Sequence, residues 1–253
     1  MLQDGDLYAR MRAGLAGIIG LFGSSSEGAR LIRWRGVTAA VVPATPERSF
    51  FNAALFDSAA ALDAEYDALA RAYAAAGVRA FAVWTDPEDS AQGAFLEAHG
   101  HQLDGQPIAM GAELAKLSLP EPKDLAWSHT DDAGLIARVN EAAYGFKTPA
   151  WQPAFTQLTD PRARGYIAVE RGAPAATVMT WDGDFGDCVV CGVATAPEHQ
   201  RRGLAARLLA VALREARERG AITTTLQSSS QGRPVYARLG YRALGAMKLW
   251  ERR

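Results

Sequence analysis

Apolar and polar residues alternate with two different periods along this chain, and each change of period marks a change of element. Leu204, Leu208, Leu209, Ala212 and Ala216 recur at helical spacing, while Arg207, Arg214, Arg217 and Glu218 take the opposite face. That pattern predicts an amphipathic helix, closed by Gly220. Ahead of it, Cys188-Val189-Val190-Cys191-Gly192-Val193 is short and β-branched, the pattern of a buried strand. Ala194 to Gly203 therefore carries the chain from a strand into a helix.

The same reading covers the rest. In the first half it predicts a helix in the apolar run Ala13 to Phe22, packed on the first domain, and strands over Val37–Val42 and Phe50–Phe56. A long Ala-rich helix from about Ser58 to Ala76 stops at Gly77, and Ala80–Trp84 is a strand broken by Thr85-Asp86-Pro87. A short helix through Phe95 and Leu96 ends at Gly100, and a strand follows near Ile108–Leu114. Ser118 to Lys123 holds two prolines without periodicity and reads as a linker. The second half has a strand at Leu125–Ser128, a helix at Asp131–Tyr144, and an aromatic connection, Phe146 to Asp160, with room for a short helix. Strands at Tyr166–Glu170 and Ala175–Asp182 meet in a hairpin at Arg171-Gly172. Thr223–Leu226 is the next strand and Arg242–Trp250 the last.

The order helix, Gly77, strand, short helix, Gly100 parallels helix, Gly220, strand, short helix, Gly240. In this alignment Ser58-Ala59-Ala60-Ala61 stands opposite Arg201-Arg202-Gly203-Leu204, and Leu96 stands opposite Tyr236. The expectation is an α/β (α+β) protein of two domains, each a mixed sheet flanked by helices, over residues 1–117 and 124–253 with a linker at 118–123.

Composition narrows the partners. The 253 residues are 49% hydrophobic and 22% charged, with a net charge of −1. No basic field advertises nucleic acid or an anionic membrane. The run at Ala13–Phe22 is too short to span a bilayer, and Asp4 and Asp6 ahead of it are unlike a basic signal-peptide start, so no targeting segment is expected. Cys188 and Cys191 have C-x-x-C spacing but no second pair, and three apart on a strand they face opposite ways. They read as small core residues rather than metal ligands, and the cytoplasm is the expected compartment.

The helix start at Gly203 carries candidate chemistry. Its first amides lack intrahelical partners at the positive end of the macrodipole, and Gly203, Ala205 and Ala206 leave room for an anion. Arg201 and Arg202 add positive charge, and together these features describe a pyrophosphate cradle. A bare G-x-A reads equally well as an ordinary turn. The G-K-[ST] ending of a P-loop and the G-x-G-x-x-G of a dinucleotide fold are both missing, which argues against a nucleotide site.

Gln200-Arg201-Arg202-Gly203-Leu204-Ala205 resembles the Q/R-x-x-G-x-G/A signature of the GNAT acetyltransferase superfamily. Pro234-Val235-Tyr236-Ala237-Arg238-Leu239-Gly240-Tyr241 resembles its second signature, with Tyr four residues before a Gly-aromatic pair. Ala205 replaces the commoner second Gly, and Ser229 and Gly232 stand where many members have Asn and Ala. The resemblance implies a tandem arrangement whose first copy has lost the glycine, arginines and tyrosine. It also implies acetyl transfer from acetyl-CoA to a primary amine by direct attack. Val193, Ala194 and Thr195 would then hold the pantetheine arm, and Arg201, Arg202, Gly203, Leu204, Ala205 and Ala206 the pyrophosphate. A backbone N–H near Val193 would face the oxyanion, and Tyr236 would be the general acid.

No base is assigned. Asp182, Asp184, Asp187, Glu170, Glu141 and His199 all qualify by chemistry alone. Tyr144, Phe146 and Trp151 lie where the family builds its acceptor pocket. The alternative is a non-catalytic acyl-CoA sensor or interaction protein on the same fold, which the retained Gly203 and Tyr236 disfavour.

Overall fold

The computed structural model describes residues 2–146, 149–158 and 160–253. In chain order the elements are α1 (Asp4–Phe22), β1 (Arg30–Trp34), β2 (Val37–Val41), β3 (Ala53–Phe56), α2 (Ala59–Ala75), β4 (Phe81–Thr85), α3 (Ser90–Ala98), β5 (Gln102–Gly105) and β6 (Ile108–Glu113). They continue with β7 (Trp127–Thr130), α4 (Ala133–Ala143), β8 (Ala163–Glu170), β9 (Ala173–Asp182), β10 (Asp187–Thr195), α5 (Leu204–Glu218), β11 (Thr223–Ser228), α6 (Arg233–Leu239), β12 (Arg242–Ala246) and β13 (Lys248–Arg252). The mixed α/β class expected from the sequence is the class observed.

Two compact units result, and neither is contiguous. The first, here the N-unit, comprises Ala16–Ile108 and Gly245–Arg253; the C-unit comprises Met1–Leu15 and Ala109–Leu244. The N-unit sheet has the order β1-β2-β3-β4-β13-β5, and the C-unit sheet β7-β8-β9-β10-β11-β6-β12. Read from β1 and from β8, the two sheets have the same strand order. Both run antiparallel, antiparallel, then parallel, at β3–β4 in one and β10–β11 in the other. The strand beside that parallel pair comes in each case from the opposite half of the sequence: β13 from the far end of the chain, β6 from the first half.

In the N-unit, α2 lays Leu62, Tyr66, Leu69 and Tyr73 at helical spacing against Val41, Ala54, Phe56, Phe81 and Val83. Burial pushes His101 down to about 4, so its ring is neutral. One ring nitrogen, Nδ1, lies 3.1 Å from the Trp250 carbonyl, and the other, Nε2, lies 2.9 Å from the Tyr66 hydroxyl. Arg252 donates to the same hydroxyl at 3.0 Å, so polar bonds as well as backbone pairing fasten β13 in place.

The C-unit places its site with α4 and α5. The α5 face carrying Leu204, Leu208, Leu209, Ala212 and Ala216 is buried as expected, with Val211 and Leu213 added. Ser118 to Lys123 is not a free tether: Arg214 binds the Leu119 carbonyl at 3.1 Å and Glu121 at 2.9 Å, and Arg207 binds the Lys123 carbonyl at 3.0 Å. The first helix starts at Asp4, well before Ala13, and its first turns belong to the C-unit rather than the first domain. There a Cβ on Gly14 would sit 2.6 Å from a Val189 methyl, so only glycine lets helix and strand approach this closely.

The expected division at 118–123 does not coincide with the compact units, because each half contributes a strand to the other's sheet. The expected single strand Arg242–Trp250 is two strands in two sheets, broken at Met247 after Gly245 takes φ +140°. The expected short helix within 146–160 is a single turn, with Phe155 N donating to the Trp151 carbonyl at 3.0 Å; residues 147, 148 and 159 lie outside the described residues.

Strand exchange makes a prediction about fragments. Residues 118–253 alone lack β6 and carry β13 without its partners, so the fragment should be largely insoluble; so should residues 1–117. Co-expressed halves should recover each other in soluble form. A monomeric 118–253 fragment with a cooperative thermal transition would contradict the exchange.

Candidate active site

The β10–β11 pairing is short. Parallel register runs from Asp187↔Thr223 to Val189↔Thr225 and stops, although β10 continues to Thr195. On its other side β10 stays paired with β9, with a bulge between Cys191 and Ala194. Gly192 takes φ +57° in that bulge, a conformation that favours glycine. Beyond Val189, therefore, the β11 side of β10 has no ladder to satisfy its backbone groups, as the resemblance required of Val193, Ala194 and Thr195.

The connection to α5 is built to expose amides. Pro197–His199 forms one tight turn, Arg201 takes φ +61°, and Gly203 takes φ +73° at the helix start. No side chain caps α5, leaving the amides of Leu204, Ala205 and Ala206 without intrahelical partners. A Cβ on Gly203 would meet nothing within 4 Å, so its left-handed backbone rather than crowding calls for glycine here.

The two arginines differ. Arg202 is ion-paired to Glu170 Oε2, the same oxygen that binds His199 Nδ1 at 2.9 Å, so it can offer chiefly its backbone amide. Arg201 is exposed and has no ion pair among the described residues. Glu170 thus braces the loop from β8, and the Gln200 side chain closes it onto the Thr195 carbonyl at 3.3 Å.

Tyr236 lies on α6 and is buried, packed edge-on to Tyr241 with ring centroids 5.7 Å apart. Its hydroxyl makes no hydrogen bond among the described residues. Burial raises its pKa well above 10, and the neighbouring Tyr144 and Cys191 add to the shift. That influence brings Tyr144 of the α4 end and Cys191 of the bulge together with Tyr236. Burial likewise pushes the Cys191 thiol up to about 12 and the Cys188 thiol further still, so both are protonated, inert thiols at neutral pH. Tyr144 stacks on Trp151 at 5.6 Å; Phe146 is exposed beside them.

Most of the candidate bases are already engaged in the structure. Asp182 takes Arg164 at 3.0 Å and a two-point contact from Arg219 at 2.9 and 3.1 Å. Asp187 is buried with Thr223 at 2.7 Å and Thr225 at 2.6 Å, and burial outweighs these bonds to raise its pKa. Glu170 and His199 brace the loop, and Asp184 is exposed. Glu141 accepts from the amides of Ala150 and Trp151, each at 2.6 Å, from Gln152 at 3.0 Å, and from the Gln152 side chain at 2.8 Å. Burial alone would raise its pKa; the hydrogen bonds reverse that and hold it below the usual range. Glu141 is the organiser of the Trp151 turn, a role spacing did not reveal.

Two further residues escaped the sequence reading. Asn140 on α4 and Thr177 on β9 are both buried against the bulge. The available signal was a polar side chain one turn after Ile136 on the apolar stripe of α4. No helix among the described residues is long and apolar enough to cross a membrane, and they hold no cluster of three or more His, Cys, Asp or Glu suited to a metal.

Residues 129–241 match the family model described as Acetyltransferase (GNAT) family. The domain built on these residues belongs to the GNAT superfamily. In overall fold the chain is similar to a GCN5-related N-acetyltransferase from Kribbella flavida, at 21% identity and TM-score 0.68 over 96% of this chain and 95% of that one. It is also similar to a GNAT-family acetyltransferase structure from Novosphingobium aromaticivorans, at 17% identity and TM-score 0.60 over 99% and 98%. A conserved protein from Staphylococcus epidermidis follows at 13% identity and TM-score 0.65 over 89% and 94%. At these identities the likeness is one of fold. No curated protein matches the chain in sequence.

Glu141→Gln should weaken the C-unit by roughly 2 kcal/mol, because the acceptor loses its charge and a donor NH2 stands where Oε2 accepts from the Gln152 side chain. The sign with pH follows from the lowered pKa. The carboxylate's contribution is full above about 4.5, the unfolded value, and is lost as pH falls through the folded value. Urea unfolding at pH 7 and at pH 3 checks both; equal midpoints for the two proteins at pH 7 would contradict the assignment.

Proposed function

We propose that the C-unit transfers the acetyl group of acetyl-CoA to a primary amine, with Tyr236 as general acid. The observation that carries this reading is the strand-to-helix connection: β10 leaves β11 after Val189, and α5 starts uncapped on a left-handed Gly203. The residues present fit the cosubstrate. The unpaired edge of Val193, Ala194 and Thr195 suits the amides of the pantetheine arm, and the amides of Arg201 to Ala206 suit its pyrophosphate.

In the reaction the neutral amine attacks the thioester carbonyl carbon, the Val193 N–H takes the oxyanion, and the C–S bond breaks as the amide forms. Tyr236 gives its proton to the departing thiolate and recovers one from solvent; the excess proton on the amine leaves to water. A phenol is protonated at neutral pH and can give its proton to a thiolate as charge develops there. No dedicated base is included, since five of the six candidates are held in structural bonds and Asp184 lies exposed at a loop.

The N-unit is proposed to be a degenerate copy of the same domain. Its sheet has the same strand order, with β1 to β4 running in the same directions as β8 to β11, but β3 enters α2 through only Asp57 and Ser58. There Ser58 caps α2 by accepting from Ala61 N at 3.1 Å, and Asp57 adds negative charge. A helix end already occupied by a hydroxyl beside a carboxylate suits no pyrophosphate. The cytoplasm, the source of acetyl-CoA, is the proposed compartment.

Acetyl-CoA at a hundred times its Kd should stabilise the protein by about 2.7 kcal/mol. Gly203→Glu, which puts a negative side chain at the cradle and strains its backbone, should abolish the shift in melting temperature. A shift that survives this change sinks the cradle.

Tyr236→Phe should keep the shift but lower turnover, measured as CoA release against a panel of amines, by roughly a hundredfold. The loss should shrink with acyl donors whose thiols are more acidic. Acetyl-CoA binding with no turnover on any amine would favour the non-catalytic sensor instead.

A further inference from the structure

The bulge in β10 is held from outside its own strand. The Gly192 carbonyl accepts from the Thr177 hydroxyl at 3.1 Å and from Asn140 Nδ2 at 3.3 Å. Asn140 Nδ2 also donates to Thr177 Oγ1 at 3.2 Å and to the Ile136 carbonyl at 2.8 Å, one turn back on α4. Both side chains are buried, Asn140 at 1% exposure and Thr177 at 0%. The amide's two N–H groups are thus shared among three acceptors. The strand, its neighbour and the helix meet at one carbonyl oxygen.

An ordinary buried strand carbonyl is satisfied by its ladder. This one is turned out of the ladder by the left-handed Gly192, and two side chains pay its desolvation. The peptide that follows is planar and trans, as is every described peptide bond. Its carbonyl and its N–H therefore point in opposite directions. Fixing the Gly192 oxygen toward Asn140 and Thr177 fixes the Val193 N–H pointing away from them.

We propose that Asn140 and Thr177 are positioning residues for the acyl-transfer site: by clamping the Gly192 carbonyl they aim the Val193 N–H at the thioester oxygen. They touch neither substrate nor reacting atoms. The proposal rests on the transferase reading above, and it accounts for a polar side chain on the apolar stripe of α4. A donor preorganised before charge develops is worth more than one that must swing into place. Without the clamp, the left-handed glycine leaves this peptide free to rotate.

The test uses acetyl-CoA carbon-13-labelled at the thioester carbonyl, with unlabelled CoA as the ligand that lacks the oxygen. In wild-type protein the bound carbonyl carbon should resonate downfield of free acetyl-CoA, and acetyl-CoA should bind more tightly than CoA. Thr177→Val removes the hydroxyl at nearly constant volume, and Asn140→Leu removes the amide. Each should return the resonance toward its free position and cut the preference for acetyl-CoA over CoA by about two- to tenfold. The Kd for CoA itself should hold, and Thr177→Ser, which keeps the hydroxyl, should restore both readouts. Should Asn140→Leu fail to fold, the Thr177 pair decides.

A resonance unmoved in Thr177→Val, or equal losses of CoA and acetyl-CoA affinity, would overturn the clamp while leaving the transferase reading intact. Wild-type protein that binds neither ligand would overturn that reading, and the clamp's role with it.

Discussion

A strand that parts from its neighbour leaves backbone donors and acceptors facing nothing, and folded proteins do not tolerate that without a replacement partner. The C-unit depends on how this is managed along β10. Three residues pair with β11; the next stretch is open on that side, steadied by β9, by the bulge at Gly192 and by side chains from α4. The chain then turns through two left-handed residues into a helix with no cap. Two stretches of backbone are thus left open, the β11 side of β10 beyond Val189 and the first amides of α5. On the reading proposed above, this backbone is what a ligand would meet, and the Tyr236 hydroxyl has no hydrogen-bond partner among the described residues.

The two units show how little separates an open helix end from a closed one. Both sheets place a parallel pair at the same point, its strands joined by a long helix. At α5 the approach is long and ends on glycine. At α2 it is two residues, and the second folds its hydroxyl back onto the third amide of the helix. Capping is the ordinary way to stabilise a helix, worth about 1 kcal/mol. Leaving α5 uncapped forgoes that stabilisation, and occupancy by an anion would return it.

Much of this was legible in the sequence because periodicity reports on local structure. The α5 stripe, the strand ending at Val193, the glycine turn and the repeat at Gly77 and Gly100 each follow from spacing and from the conformational rules for glycine. Strand partnership was not legible. The apolar pattern of Ile108–Leu114 and of Arg242–Trp250 says that these residues lie in sheets, but no period says in which sheet, and the break at Met247 has no turn signal beyond Gly245 two residues before it. The clamp and the Glu141 turn were hidden for a related reason. Asn140, Glu141 and Thr177 bind backbone groups on other segments, 52, 9 and 15 residues away at Gly192, Ala150 and Gly192, and a backbone group leaves no mark in the sequence. The ion pair of Arg202 is hidden for the same cause: its partner, Glu170, lies 32 residues earlier on another strand.

The exchange of β6 and β13 bears on how the protein can be made. A chain leaves the ribosome from its first residue, and domains ordinarily fold as they emerge. The N-unit cannot: the strand between β4 and β5 is supplied by residues 248–252, so the sheet stands open at an interior position through the synthesis of the whole C-unit. During that interval β4, buried and apolar in the finished protein, presents an unpaired edge. Completion of the N-unit therefore waits for its last strand, and a chain that has made β4 but not β13 carries this open edge.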